Sequence, residues 1–216
     1  MRTKLFIAAI LATGIGLCSV PAAPHDLVNL AESPDPPVLD VRYATRLNFT
    51  GEKLYPCPVV WLHKDARLAL IAVQSALRGK GMALKVFDGY RPLSVQQKMW
   101  DLVQDERYVS NPAVNQGRHT RGTAVDVALV DLMGNPLPMP SGFDDFTEKA
   151  HRDYAGASAE ESANARLLEA VMTSHGFAPF ATEWWHFDLQ NWKSYPVLDI
   201  SIEELAKGQR DHPSTK

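Results

Sequence analysis

Two short stretches hold the residues best suited to chemistry. The first is Gly117-Arg118-His119-Thr120-Arg121-Gly122-Thr123-Ala124-Val125-Asp126, in which an imidazole and a carboxylate stand seven positions apart. Residues 123–129 are rich in Val, Thr, Ala and Leu and predict a strand. Side chains alternate along a strand, so Ala124, Asp126 and Ala128 share one face and Val125, Val127 and Leu129 share the other, apolar, core-facing one. Asp126 is then a carboxylate between small residues that leave room beside it. Gly122 lets the backbone turn His119 back toward the same face. Imidazole plus carboxylate is part of a catalytic zinc site, in which three protein ligands leave one position open.

The second stretch, Glu183-Trp184-Trp185-His186, can supply the third ligand. His186, Asp188 and Gln190 alternate with Phe187 and Leu189, which predicts a strand with one polar face starting at His186. Glu183 lies three residues earlier, an offset that puts two side chains on opposite faces of a regular strand. A turn or bulge must therefore intervene if both serve one site. A glutamate near the metal that is not a ligand is the general base of zinc hydrolases. Either stretch alone reads most simply as an unrelated histidine and acid. It is the ordered pair that points to a site.

The pattern His-x-x-Gly-x-Ala-x-Asp followed by Glu-x-Trp-His resembles the zinc D-alanyl-D-alanine dipeptidases, the VanX-type family. That family belongs to a wider group with D,D-carboxypeptidases and the hedgehog signalling domain. Its pattern begins Ser-x-His, and Gly117 stands where that serine would be. The resemblance implies one Zn²⁺ per chain held by His119, Asp126 and His186, a water at the fourth position, and Glu183 as general base. It extends to Arg42-Tyr43-Ala44-Thr45 with Asn48-Phe49-Thr50-Gly51, which would bring Tyr43 near the substrate. It also covers Asp88-Gly89-Tyr90-Arg91-Pro92, whose arginine would stabilise the oxyanion, and Gly142-Phe143-Asp144-Asp145-Phe146, where Asp144 would face the substrate's ammonium. Each has a plainer reading: Tyr43 in a strand before a capped turn, Arg91 paired with Asp88 or a helix end, Asp144 a solvated loop acid. The implied substrate is D-alanyl-D-alanine or a similar D,D-dipeptide. A D,D-carboxypeptidase acting on cell-wall peptides, a non-catalytic zinc-binding module and a metal-independent structural protein are the alternatives.

These residues need a frame. Residues 64–78 predict a helix with Leu70, Val73 and Leu77 on one stripe and Ile71 beside it, stopped by Gly79. Residues 82–87 read as a strand and 38–43 as another. Ser94 and Gln97 match a capping box opening a helix that turns Val95, Met99, Leu102 and Val103 inward. Residues 131–146 are rich in Pro, Gly and Asp, and their length marks a functional loop. Residues 159–175 predict the last long helix, with Leu167, Leu168, Val171 and Met172 apolar and Gly176 as its stop. His151 reads either as a second-layer partner or as a surface histidine. The expected class is α+β: a single domain with a mostly antiparallel sheet, helices packed on one side, and the site on the sheet's polar face.

The chain has 216 residues, 22% charged and 45% hydrophobic, ordinary for one soluble domain. A net charge of −3 carries no nucleic-acid footprint. Oligomeric state is not readable. Residues 1–22 predict a signal peptide: basic Met1-Arg2-Thr3-Lys4, an apolar run from Leu5 to Leu17 too short to span a bilayer, then Val20-Pro21-Ala22. Cleavage after Ala22 or Ala23 implies export, most simply to the periplasm, with no stable membrane insertion afterwards. Cys18 raises a lipoprotein alternative, but Ile15-Gly16-Leu17 is a poor lipobox. Cys57 is then the only cysteine, so no internal disulfide forms, and it reads as a small hydrophobe. Residues 23–37 are expected to be an extended arm, 38–202 the zinc dipeptidase domain, and 203–216 a fraying polar tail.

Overall fold

A computed structural model describes residues 26–211. The signal segment, Cys18 and the two cleavage positions lie outside the described residues. The strands are β1 (Leu27–Asn29), β2 (Val38–Leu39), β3 (Trp61–His63), β4 (Met82–Asp88), β5 (Ala124–Asp131), β6 (Phe177–Phe180) and β7 (Glu183–Leu189). The helices are α1 (Lys64–Arg78), α2 (Leu93–Leu102), α3 (Pro112–Asn115), α4 (Ala159–Ser174) and α5 (Ile202–Asp211). A five-stranded sheet runs β2-β4-β5-β7-β6, parallel only between β2 and β4 and antiparallel elsewhere. β1 and β3 form a separate antiparallel pair. α1 packs on β4, α4 packs on β5, β6 and β7, and the two helices touch each other, so together they cover one side of the sheet. The α+β, mostly antiparallel architecture is the one expected.

α1 buries Leu70, Val73 and Leu77 as its periodicity predicts. Its cap, Gly79, has φ −62, so glycine's special freedom is not used there. α4 carries a true capping box: the Ser158 side chain accepts from the Glu161 amide, and Glu161 accepts from the Ser158 amide. The box expected at Ser94 and Gln97 does not form. α2 starts two residues earlier than that box requires, at Leu93 after Pro92, whose ring holds φ at −54, close to the helical value. The Ser94 amide is capped instead by Asp199 Oδ1 at 2.8 Å, and Gln97 bonds to Asp101. Val95 and Met99 are buried as expected, but Leu102 is 62% exposed at the last turn, and Val103 lies past the helix end.

Three boundary expectations change. The arm is extended but not free: Leu27 and Leu30 are buried, and β1 pairs with β3. The strand expected over 38–43 stops at Leu39, and Arg42–Ala44 is a turn of 3₁₀ helix. The polar tail begins with α5, which seats Ile202 and Leu205, one turn apart, in the core. Gln209 then accepts a hydrogen bond from the Asn29 side chain at 3.0 Å, joining tail to arm.

Candidate active site

β5 is the centre of the site. Ala124 through Val130 are all buried, so the face carrying Asp126 is not an open polar surface; loops cover it. Asp126 pairs in register with Asp88 on β4 and with His186 on β7. Directly opposed residues point to the same side of a sheet, so three polar side chains form one row across three strands. Two irregularities allow this. On β4 the pairing shifts between Val86 and Asp88, and the extra residue, Phe87, turns Asp88 toward Asp126. On β7 the pairing with β6 shifts from Pro179↔Phe187 to Phe180↔Glu183, leaving Trp184, Trp185 and His186 without counterparts on β6. This is the bulge expected between Glu183 and His186. It brings Glu183 Oε2 to 3.7 Å from His186 Nδ1.

His119 enters from a 3₁₀ turn, His119–Arg121, closed by Gly122 at φ 68, which redirects the chain into β5. His119 Nδ1 donates to the Gly89 carbonyl at 2.7 Å, so its Nε2 carries the lone pair and faces inward. That Nε2 is 3.1 Å from His186 Nδ1 and 3.3 Å from Asp126 Oδ1, and His186 Nδ1 is 3.0 Å from the same oxygen. Three ligands about 2.0–2.1 Å from a tetrahedral zinc stand roughly 3.3 Å from one another. The observed spacing, burial and donor types therefore fit zinc. His186 Nε2 is held by Asp188 Oδ1 at 3.1 Å, and Asp188 in turn accepts from Arg118, which lies over the Phe180 and Trp192 rings. Sequence reasoning placed Asp188 on the polar face and gave it no role. Its position two residues beyond a strand ligand was the available signal, because such carboxylates orient ligand imidazoles.

The charge balance favours a cation at this point. Burial opposes charge on His186, but the Asp188 and Asp126 carboxylates outweigh it and push the imidazole up to about 10. Burial also opposes the Asp126 charge, yet the two imidazoles hold its carboxyl well below the usual range. Glu183 is pushed up to about 8, chiefly by burial and further by Asp126 and Asp144, against the pull of His186 and Arg91.

Arg91 pairs with Asp88, as in its plainer reading, and also stands in the cavity. Nε and Nη2 donate to Asp88 Oδ2 at 3.0 and 2.8 Å, and Nη1 donates to Gln96 Oε1 at 2.8 Å. The guanidinium also lines the cavity, 3.9 Å from Asp126 and over the Tyr43 ring. Asp88 keeps this arginine rigid and charged. Tyr43 and Asp144 meet at the far wall, where the tyrosine hydroxyl donates to Asp144 Oδ1 at 3.0 Å. Asp144 is not a solvated loop acid. It has φ 62, and its Oδ2 is buried with no hydrogen-bond partner. Burial, reinforced by Asp126, pushes its carboxyl up to about 7 against the Tyr43 hydrogen bond. His151, from the second half of this region, bonds to Tyr108 rather than to a ligand.

All seven expected site residues thus line one cavity. Glu106, Tyr108 and Ser110, from the segment between α2 and α3, add a wall that sequence reasoning did not foresee, since nothing local in that segment marks it. Gly117 sits at φ 78, and a Cβ there would come within 2.9 Å of Thr120 and 3.0 Å of Gln96. The backbone at this position is built for glycine.

The family described as D-ala-D-ala dipeptidase matches residues 24–203. The D-alanyl-D-alanine dipeptidase of Escherichia coli is 38% identical over 173 residues, 80% of this chain and 89% of that one. The enzyme of the same name from Enterococcus faecalis is 32% identical over 170 residues, 69% of this chain and 84% of its own. Among solved structures, the LD-carboxypeptidase LdcB aligns over 88% of this chain at 19% identity with a TM-score of 0.43, a likeness too slight to carry an argument. On the breadth of the family match and the identity to these enzymes, the chain belongs to the D-alanyl-D-alanine dipeptidase family of peptidases.

Proposed function

We propose that this protein hydrolyses D-alanyl-D-alanine to free D-alanine and depends on one zinc ion per chain held by His119, Asp126 and His186. Zinc in such a site lowers the pKa of a bound water toward about 7 and polarises a carbonyl. The chain supplies the rest. Glu183 takes the proton of the attacking water and passes it to the leaving amine. Arg91, clamped by Asp88 and Gln96, offers a fixed positive charge to the tetrahedral oxyanion. Asp144, steadied by Tyr43, pairs with the substrate's ammonium through its second oxygen.

The observation that carries this reading is Glu183: a buried carboxyl beside the donor triad that is not one of its members. A purely structural metal site has no use for such a group, which argues against a non-catalytic zinc module. The rival D,D-carboxypeptidase reading needs room for a longer peptide at Asp144, where Asp144 and Phe146 of the 131–146 loop line the cavity. Its bare carboxylate oxygen fits a free amine better than an acylated one. We further propose action outside the cytoplasmic membrane, supported by the signal-like residues 1–22.

Turnover of D-Ala-D-Ala, L-Ala-D-Ala and N-acetyl-D-Ala-D-Ala, followed by liquid chromatography with and without chelator, tests the reading. D-Ala-D-Ala should be hydrolysed only without chelator, and the acetylated compound should lose kcat/KM by up to about 10⁴-fold, because it strands the carboxylate unpaired. Equal or better turnover of the acetylated compound favours the carboxypeptidase.

A further inference from the structure

The β7 bulge has a holder. Arg152 lies after the 3₁₀ turn Glu148–Ala150, far in sequence from the metal ligands. Its amide donates to the Ala181 carbonyl at 3.0 Å, in the turn between β6 and β7. Its Nε donates to the Phe180 carbonyl at 2.8 Å and its Nη2 to the His186 carbonyl at 2.9 Å. Its Nη1 reaches Glu169 on α4 at 3.0 Å, and its guanidinium covers the Phe187 ring at 4.4 Å. The Phe180 carbonyl stands on β6 at the start of the register shift, and the His186 carbonyl belongs to the last residue of the β7 stretch that has no partner on β6. A bulge removes ladder hydrogen bonds, and carbonyls left without partners inside a protein are costly. One rigid fork satisfies both and thereby fixes the distance between Phe180, which opposes Glu183, and His186.

We infer that Arg152 is a positioning residue: its guanidinium holds the β7 bulge in the shape that puts Glu183 and the His186 ring on the same side of the sheet. Arg152 itself touches neither ring nor carboxyl of the triad. It acts through the backbone of His186, as outer-shell groups do when they set the aim of a ligand. Burial pulls its pKa down to about 10, partly offset by Glu169, so it remains a cation near neutral pH. Lysine cannot replace it fully, because an ammonium on a flexible stem lacks the planar fork that reaches two carbonyls at once.

The test compares zinc-loaded parent, Arg152→Ala, Arg152→Lys and, as a control for plain destabilisation, Leu77→Ala, which empties a core position at the far end of α1. Zinc affinity is measured by competition with a chromogenic chelator, and site geometry by the visible spectrum of the cobalt(II)-substituted protein. Melting temperature, and kcat and KM for D-Ala-D-Ala, are measured alongside. Arg152→Ala should bind zinc roughly 10–100-fold more weakly, with an altered cobalt spectrum and a kcat reduced by a similar factor, while KM changes little. Arg152→Lys should fall between it and the parent. Leu77→Ala should melt earlier but keep parental zinc affinity and cobalt spectrum. The inference is overturned if Arg152→Ala, or Arg152→Lys should the alanine variant not fold, matches the parent in zinc affinity, spectrum and kcat. It is equally overturned if Leu77→Ala loses zinc to the same degree. The activity arm rests on the dipeptidase reading. A parent inactive on D-Ala-D-Ala would sink that reading alone, since affinity and spectrum still decide the role of Arg152.

Discussion

Glu183 must be ionised to accept a proton, yet in its buried place beside Asp126 and Asp144 it is pushed up to about 8. A divalent cation at the neighbouring donors reverses that balance and returns the base form near neutral pH. Glu183→Gln should keep zinc and lose roughly 10²-fold or more in kcat. Metal content and turnover measured on one sample decide it: loss of both together makes Glu183 a ligand or a folding residue. Asp144 gives a second test, through stability. Its folded pKa of about 7 lies above the ordinary carboxyl value of 3.8, so the folded state keeps a proton the unfolded chain has lost between those limits. The stability this contributes is complete below about pH 4 and is lost as pH rises through 7. Asp144→Asn cannot ionise. It should therefore melt close to the parent at pH 4, above it at pH 8, and be much the weaker enzyme near neutral pH. Parallel melting curves at the two pH values would remove the argument for a strained, unpaired carboxylate.

Strand irregularities and turns do the positioning at the next scale up. The β4 bulge aims Asp88 at Arg91 and His119, and the β7 bulge aligns Glu183 with His186. The 3₁₀ turn through His119 depends on tight backbone packing just before it. Gly117 at φ 78, with Thr120 and Gln96 within 3.0 Å of any added Cβ, leaves no place for the serine of the family pattern. Gln96 is also the partner of Arg91 Nη1, so crowding it disturbs the proposed oxyanion group. Gly117→Ser is therefore expected to destabilise the fold by about 1–3 kcal/mol and to lower kcat, not to improve substrate affinity. Thermal melts together with kcat and KM check this. A variant with parental stability and a lower KM would mean that the loop accommodates a hydroxyl and that it binds substrate.

Across the whole molecule, the proposed metal donors come from a turn and from two strands, β5 and β7, so an ion held there would link segments distant in the chain. A ligand that binds only the folded state stabilises it by about 2.7 kcal/mol at a concentration 100 times its Kd. For a domain of this size each kcal/mol moves the melting point by roughly 2–4 °C. Chelation should thus lower Tm by about 5–10 °C, and added zinc should restore it in a concentration-dependent way. A Tm indifferent to both treatments would remove zinc from His119, Asp126 and His186. The arm and the tail share one hydrophobic core, in which Leu27, Leu30, Ile202 and Leu205 all lie.

The sequence by itself determined which residues could meet at one site. Donor types, the seven-residue step from His119 to Asp126, and the Glu183–His186 pair are short-range features, and the alternation rule itself called for the turn at Gly122 and the bulge after Glu183 that bring them together. The same holds for α1 and α4, whose apolar stripes follow a local period. The α2 cap escaped sequence reasoning because its partner, Asp199, is 105 residues away. Tertiary structure alone decided the row of Asp88, Asp126 and His186, because register across three strands is a property of pairing and not of any one strand. It also decided that Asp144 is buried with a bare oxygen, that Asp188 and Arg152 hold His186 from two sides, and that a polar tail closes on the arm. Each of these depends on contacts between distant segments, whose energies come from burial and hydrogen-bond satisfaction, and neither leaves a periodic mark in the chain.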